Sequence, residues 1–120
     1  MRPSKGEGQS VFTAANGDEP LRPGMILSNE PGYYKAGEYG IRIENLVLVV
    51  ALESGEDERP FYGFETLSHT PIDRALIDTT LLTADERAWL NAYHARTLEI
   101  VAPQLEGAAQ AWLQEACAPI

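Results

Sequence analysis

Two glutamates, Glu30 and Glu44, stand in stretches that otherwise read as apolar β-strand: Gly24-Met25-Ile26-Leu27-Ser28-Asn29-Glu30-Pro31-Gly32-Tyr33-Tyr34 and Gly40-Ile41-Arg42-Ile43-Glu44-Asn45. An ionised carboxylate kept among buried aliphatics needs a cation or a hydrogen-bonded partner to offset its lost hydration, so a metal ion is the first chemistry to consider. Spacing alone says little, because most glutamates are solvated surface charges; the aliphatic setting is what singles these two out. Carboxylate oxygens favour hard divalent ions such as Mn²⁺ or Mg²⁺, and an added histidine would admit Zn²⁺ or Co²⁺. Gly37 is equidistant in sequence from Glu30 and Glu44. A hairpin turning there sets them opposite each other with Cβ atoms about 5 Å apart, where like charges repel without a counter-charge.

The elements that must position this pair are short strands. Arg22-Pro23-Gly24 is a turn signal, and residues 25–29 form a strand that stops at Pro31, which has no amide hydrogen to give a sheet. Residues 31–40 carry three glycines and three tyrosines and read as a loop walling a cleft. Residues 40–52 read as one strand whose period of two puts Arg42 and Glu44 on one face with Leu46, Leu48 and Val50. A charged turn over 53–60 leads to a third strand over 61–67, giving an antiparallel meander, and residues 71–80 read as irregular. Thr83-Ala84-Asp85-Glu86 matches a capping box, so a helix begins there and runs to about Ala102, before Pro103. Leu90, Tyr93, Thr97, Leu98 and Val101 form its apolar stripe, widened by Trp89. A second short helix over about 108–116 follows, anchored by Trp112 and Leu113. The expected class is therefore α+β, an antiparallel meander followed by helices. Three regions are expected: a flexible segment at 1–20, a strand-rich part at 21–69 and a helical part at 70–120.

Composition narrows the partners. The chain has 120 residues, enough for one ordinary domain, with 18 acidic against 9 basic side chains and a net charge of −9. Such an acidic balance disfavours phosphate backbones and anionic lipid surfaces, so no nucleic acid is expected. The longest aliphatic run, 46–52, is far short of the roughly 20 residues of a spanning helix, so no membrane segment is expected either. The single cysteine, Cys117, can form no intrachain disulfide, and the first residues lack the apolar stretch of a secretory signal. These features fit a cytoplasmic protein.

The EPGYY element, the GIRIEN element and their separation resemble the metal site of the pita-bread metallopeptidases, and within them the Xaa-Pro aminopeptidases. The likeness runs from about Leu21 onward. Phe64-Glu65-Thr66-Leu67, Pro71-Ile72-Asp73, Leu81-Leu82-Thr83 and the segment from Trp89 to His94 are similar to the C-terminal region of the larger cytosolic type. The resemblance implies a portion of a pita-bread fold and a divalent-metal site of two ions held by two Asp, one His and two Glu, the Glu pair corresponding to Glu30 and Glu44. Mn²⁺ is the first expectation for those ions, with Zn²⁺ or Co²⁺ as alternatives. In that family the paired ions activate water for attack on the bond before a proline at the second position of the peptide. Glu30 is then a terminal ligand that also shuttles the water's proton, Glu44 bridges the ions, and Arg42 and Tyr34 orient these carboxylates by ion pairing and a phenol hydrogen bond.

No histidine precedes Glu30, and Asp18 is the only aspartate upstream of it. The expectation is thus a C-terminal fragment carrying two of five ligands, with weak or absent metal binding and no peptide hydrolysis by itself. A non-catalytic dimerisation or binding module derived from the same family is the competing reading, with self-association favoured by open strand edges and the apolar 46–52 segment. His69 and His94 read as loop and packing residues rather than ligands, Cys117 as a small apolar residue, and Trp89 and Trp112 as core or interface anchors. Ser28 has no base nearby to make it a nucleophile.

Overall fold

The computed structural model describes residues 20–52 and 61–120 and is α+β, antiparallel strands followed by helices. The flexible segment expected over 1–20, Pro20 apart, and the charged turn over 53–60 lie outside the described residues. The chain divides into two compact units, one ending at Ser68 and the other running from His69 to Ile120.

In the first unit the strands are β1 (Ile26–Asn29), β2 (Gly32–Lys35), β3 (Tyr39–Arg42), β4 (Asn45–Leu52) and β5 (Phe61–Thr66). A turn at Pro23-Gly24 starts the unit, closed by the Met25 N–H donating to the Arg22 carbonyl at 3.1 Å. β4 is the middle strand of a three-stranded antiparallel sheet in the order β1-β4-β5, and β2 pairs with β3 in a two-stranded sheet. The alternation along β4 buries Asn45, Val47 and Val49 on one face, while Leu46, Leu48 and Val50 stay more open. Two expectations are corrected. Residues 31–40 are not a loop but a hairpin arm, with Tyr33 opposite Ile41 and Tyr34 opposite Gly40. The single strand expected over 40–52 is interrupted at Ile43 and Glu44, so that β3 and β4 belong to different sheets.

In the second unit a single 3-10 turn at Arg74–Leu76 precedes α1 (Ala84–Val101) and α2 (Gly107–Ala116). The capping box is complete: the Glu86 N–H donates to the Thr83 hydroxyl at 3.2 Å, and the Thr83 N–H donates to Glu86 Oε2 at 2.9 Å. α1 buries Leu90, Tyr93, His94 and Thr97, so His94 joins the expected stripe as a fully buried residue. Its Nε2 accepts the Ile72 N–H at 3.0 Å, and Tyr93 clasps Thr70 by accepting its N–H and donating to its carbonyl. Arg74 donates to the Ala118 and Glu115 carbonyls, closing the C-terminal end of α2. Trp89 and Trp112 are 47% and 63% exposed, so neither is a core anchor; Leu113 and Cys117 are buried instead.

Burial first, then the Arg74 charge, lowers the pKa of His94 below its ordinary 6.5. Protonation would also cost Nε2 the lone pair that accepts from Ile72. The folded state therefore prefers neutral His94, and the unfolded chain takes up the proton first as pH falls. This contribution is whole above about pH 6.5 and is lost as pH drops through the depressed folded value. Asp78, held low by its bonds from Thr80, and Glu86, held low by those from Thr83, act only below about pH 4.5. Urea midpoints for the chain are expected to fall between pH 7 and pH 5, with a smaller fall for His94→Gln; equal falls for both would refute this role.

Candidate metal centre

The site is built by one long hairpin. Pro31 ends β1 directly after Glu30, and Glu44 occupies the gap between β3 and β4. The pairings Asn29 with Asn45 and Gly32 with Arg42 share one register, and the Ile43 N–H donates to the Pro31 carbonyl at 3.2 Å across the gap. Glu30 and Glu44 therefore stand opposite each other, as a turn centred on Gly37 requires. Gly37 has φ 74°, which only glycine adopts without strain, and the Glu38 N–H closes the turn on the Lys35 carbonyl at 3.0 Å.

Arg42 supplies the counter-charge. Its Nη1 lies 3.1 Å from Glu30 Oε2 and its Nε 3.4 Å from Glu44 Oε2, so one guanidinium draws both carboxylates to a common point. The other oxygen of Glu30 accepts the Ser28 hydroxyl at 2.9 Å. A hydrogen bond to the Tyr34 phenol, followed by the charges of Glu30 and Glu44, raises the Arg42 pKa above the ordinary arginine value. The four residues singled out in the sequence are thus gathered on one face of the hairpin.

Their setting differs from the buried one expected. The side chains of Glu30 and Glu44 are 43% and 42% exposed, and neighbouring Ile26 and Leu46 on that face are exposed as well. Alternation explains this, since β4 turns Asn45, Val47 and Val49 inward and leaves the Glu44 face open. Within the described residues the pair is offset by Arg42 rather than by burial with a cation.

Two positioning groups escaped the sequence reading. Ser68 donates to Asn45 Oδ1 at 3.0 Å and accepts the Leu46 N–H at 3.0 Å, fixing the start of β4 one residue after Glu44. A buried Asn within an aliphatic run was the available signal. Ser28, considered only as a nucleophile, orients Glu30. His69 and His94 belong to the second unit, and no cluster of three or more His, Cys, Asp or Glu side chains suited to a metal occurs among the described residues.

Comparison with known proteins extends these local features to the chain. Residues 4–51 match the model of metallopeptidase family M24, and residues 60–120 match the C-terminal region of peptidase M24. A protein of Laccaria bicolor described as a probable Xaa-Pro aminopeptidase P is 42% identical over 117 residues, covering 94% of this chain and 18% of the relative. A Fusarium vanettenii protein of the same description is 46% identical over 104 residues, covering 83% and 17%. The solved X-prolyl aminopeptidase of Caenorhabditis elegans, described as a cytosolic enzyme with a di-nuclear active site, superposes with a TM-score of 0.71 at 38% identity, over 83% of this chain and 17% of that one. The chain thus spans less than a fifth of the length of these relatives. With one family model on the hairpin that carries Glu30 and Glu44 and the other on β5 and the helices that follow, the chain belongs to the M24 metallopeptidase family and carries its C-terminal region.

Proposed function

We propose that this chain supplies the glutamate half of a dinuclear Xaa-Pro aminopeptidase site, with Glu30 and Glu44 as metal ligands. The observation that carries the reading is their convergence on one cation, the Arg42 guanidinium, from opposite strands of a single hairpin. A pair of carboxylates already aimed at a shared positive charge suits hard divalent ions, with Mn²⁺ as the first expectation and Zn²⁺ or Co²⁺ as alternatives. When bound, such ions supply an activated water and polarise the scissile carbonyl. Glu30, directly after β1 and oriented by the Ser28 hydroxyl, is the residue assigned to hold the water's proton. Arg42 keeps both carboxylates turned toward the centre, and Tyr34 supports Arg42. The substrate proposed for the complete enzyme is a peptide with proline at its second position, acted on in the cytoplasm.

Two carboxylates make a poor dinuclear site, and metal binding by these 120 residues alone is expected to be weak or absent. No helix among the described residues is long and apolar enough to cross a membrane, and the net charge of −9 opposes nucleic-acid binding. Exposed Ile26, Phe61 and Phe64 on the outer strands of the three-stranded sheet support self-association as a secondary property.

The test compares this chain with a chimera in which it follows the preceding region of the Laccaria bicolor relative. With added Mn²⁺, the chimera is expected to release the first residue of an Xaa-Pro peptide and the chain alone is not. Turnover by the chain alone would overturn the fragment reading, and an inert but folded chimera would overturn the assignment of activity.

A further inference from the structure

The face that carries the carboxylates also carries two glycines, Gly32 and Gly40, whose lack of a side chain has a use. Gly40 lies directly opposite Tyr34, and Gly32 lies two residues before it on the same strand. A methyl group at Gly40 would stand 2.7 Å from Tyr34 Cδ1, and one at Gly32 would stand 2.9 Å from both Cε2 and the phenol oxygen. Carbon atoms in contact prefer about 3.5–4.0 Å, so neither position tolerates a methyl group with the ring where it lies. The ring therefore spans both strands, one edge above Gly40 and the other, with its hydroxyl, above Gly32. Neither glycine has a positive φ, so space and not backbone freedom is what they provide. An aromatic ring laid over a glycine on the neighbouring strand also restores packing that the glycine itself cannot offer.

We infer that Gly32 and Gly40 form a seat for the Tyr34 ring that presents its phenol to Arg42, making the two glycines positioning residues for the Glu30–Glu44 pair. The inference rests on the reading of those glutamates as ligands for its meaning, but the seat itself exists without metal. The atoms that an added methyl group would meet too closely all belong to the Tyr34 side chain, which can swing away, and the Tyr33 carbonyl oxygen stands at an ordinary 3.8 Å from the Gly40 position. Alanine at Gly40 therefore displaces the ring and leaves the strand backbone intact. Arg42 then loses the phenol and is held by the carboxylates alone.

The experiment is metal-free NMR on the isotopically labelled 120-residue chain. The Hα resonances of Gly40 and Gly32 are expected upfield of their usual range through the Tyr34 ring current, and Tyr34→Leu returns them. In Gly40→Ala, cross-strand backbone contacts between β2 and β3 persist while exchange of the Arg42 guanidinium N–H protons accelerates roughly tenfold, the protection expected of one hydrogen bond to a charged group. Tyr34→Phe keeps the glycine shifts and produces the same acceleration, and combining it with Gly40→Ala adds nothing further. Unshifted glycine resonances, or Arg42 exchange indifferent to both substitutions, would overturn the seat. If Gly40→Ala disturbs the hairpin, Tyr34→Phe and Tyr34→Leu decide alone. Failure of the metal reading would appear in the Xaa-Pro assay and leave these resonances unchanged.

Discussion

In the chimera with the preceding region of the Laccaria bicolor relative, Glu44→Gln is expected to lower kcat/KM for an Xaa-Pro peptide by roughly a thousandfold or more. A metal centre contributes several kcal/mol to the transition state, and each 1.36 kcal/mol is about a factor of ten in rate. Glutamine keeps the size of the side chain and its place opposite Glu30, so the hairpin register has no reason to change. What it removes is the charge that Arg42 now draws toward Glu30 from 3.4 Å away. On the roles proposed for the two residues, Glu30→Gln should cost a comparable amount by a different route. A residue that bridges two ions takes metal content with it when lost, whereas one that also carries the proton lowers kcat beyond what any loss of metal explains. Bound Mn²⁺ measured alongside kcat therefore separates the two roles. Full activity in Glu44→Gln would remove the metal reading of this face.

The features that support this prediction were unevenly legible in the sequence. The hairpin could be read because Gly37 and the two motif segments are symmetric about it, and register follows once the turn is set. The β2–β3 arm could not, since three glycines and three tyrosines in ten residues have the local composition of a loop. What makes them strand is a cross-strand relation, Tyr34 over Gly40 and Tyr33 tilted against Tyr39 at 6.1 Å, which composition alone does not reveal. The grouping of Arg42 with Glu44 was readable from alternation, but the exposure of that face was not. A strand of aliphatic residues has two faces, and only the packing around β4 decides that Val47 and Val49 take the buried one.

The helical unit shows the same division between pattern and packing. The capping box identified the start of α1 to the residue because its chemistry lies within four consecutive positions. His94 was a weaker case, since its role depends on Ile72, 22 positions earlier in the chain. Trp89 looked like a core residue by size, yet it stacks on Tyr93 at 5.5 Å while remaining 47% exposed. Large aromatic area can be half used, and sequence does not say which half.

Leu113 and Trp112 test that distinction between adjacent residues of α2. Size alone assigns the larger loss to tryptophan. Burial reverses the order, because Leu113 is 2% exposed and Trp112 is 63% exposed. Leu113→Ala deletes buried methyl groups and leaves a cavity that the surroundings fill only partly, at a cost of about 2–5 kcal/mol. Trp112→Ala removes a mostly solvated ring and should stay within about 0.5 kcal/mol of the parent, or near zero in a monomer. Urea unfolding at pH 7, where His94 is neutral and contributes fully, measures both. Leu113 also carries the carbonyl that accepts the Cys117 N–H at 3.0 Å, so loss of its packing loosens the turn on which Arg74 closes the helix. A greater loss from Trp112→Ala, especially one that grows with protein concentration and shrinks on dilution, would instead show that the tryptophan is buried between copies of the chain and place an interface on α2.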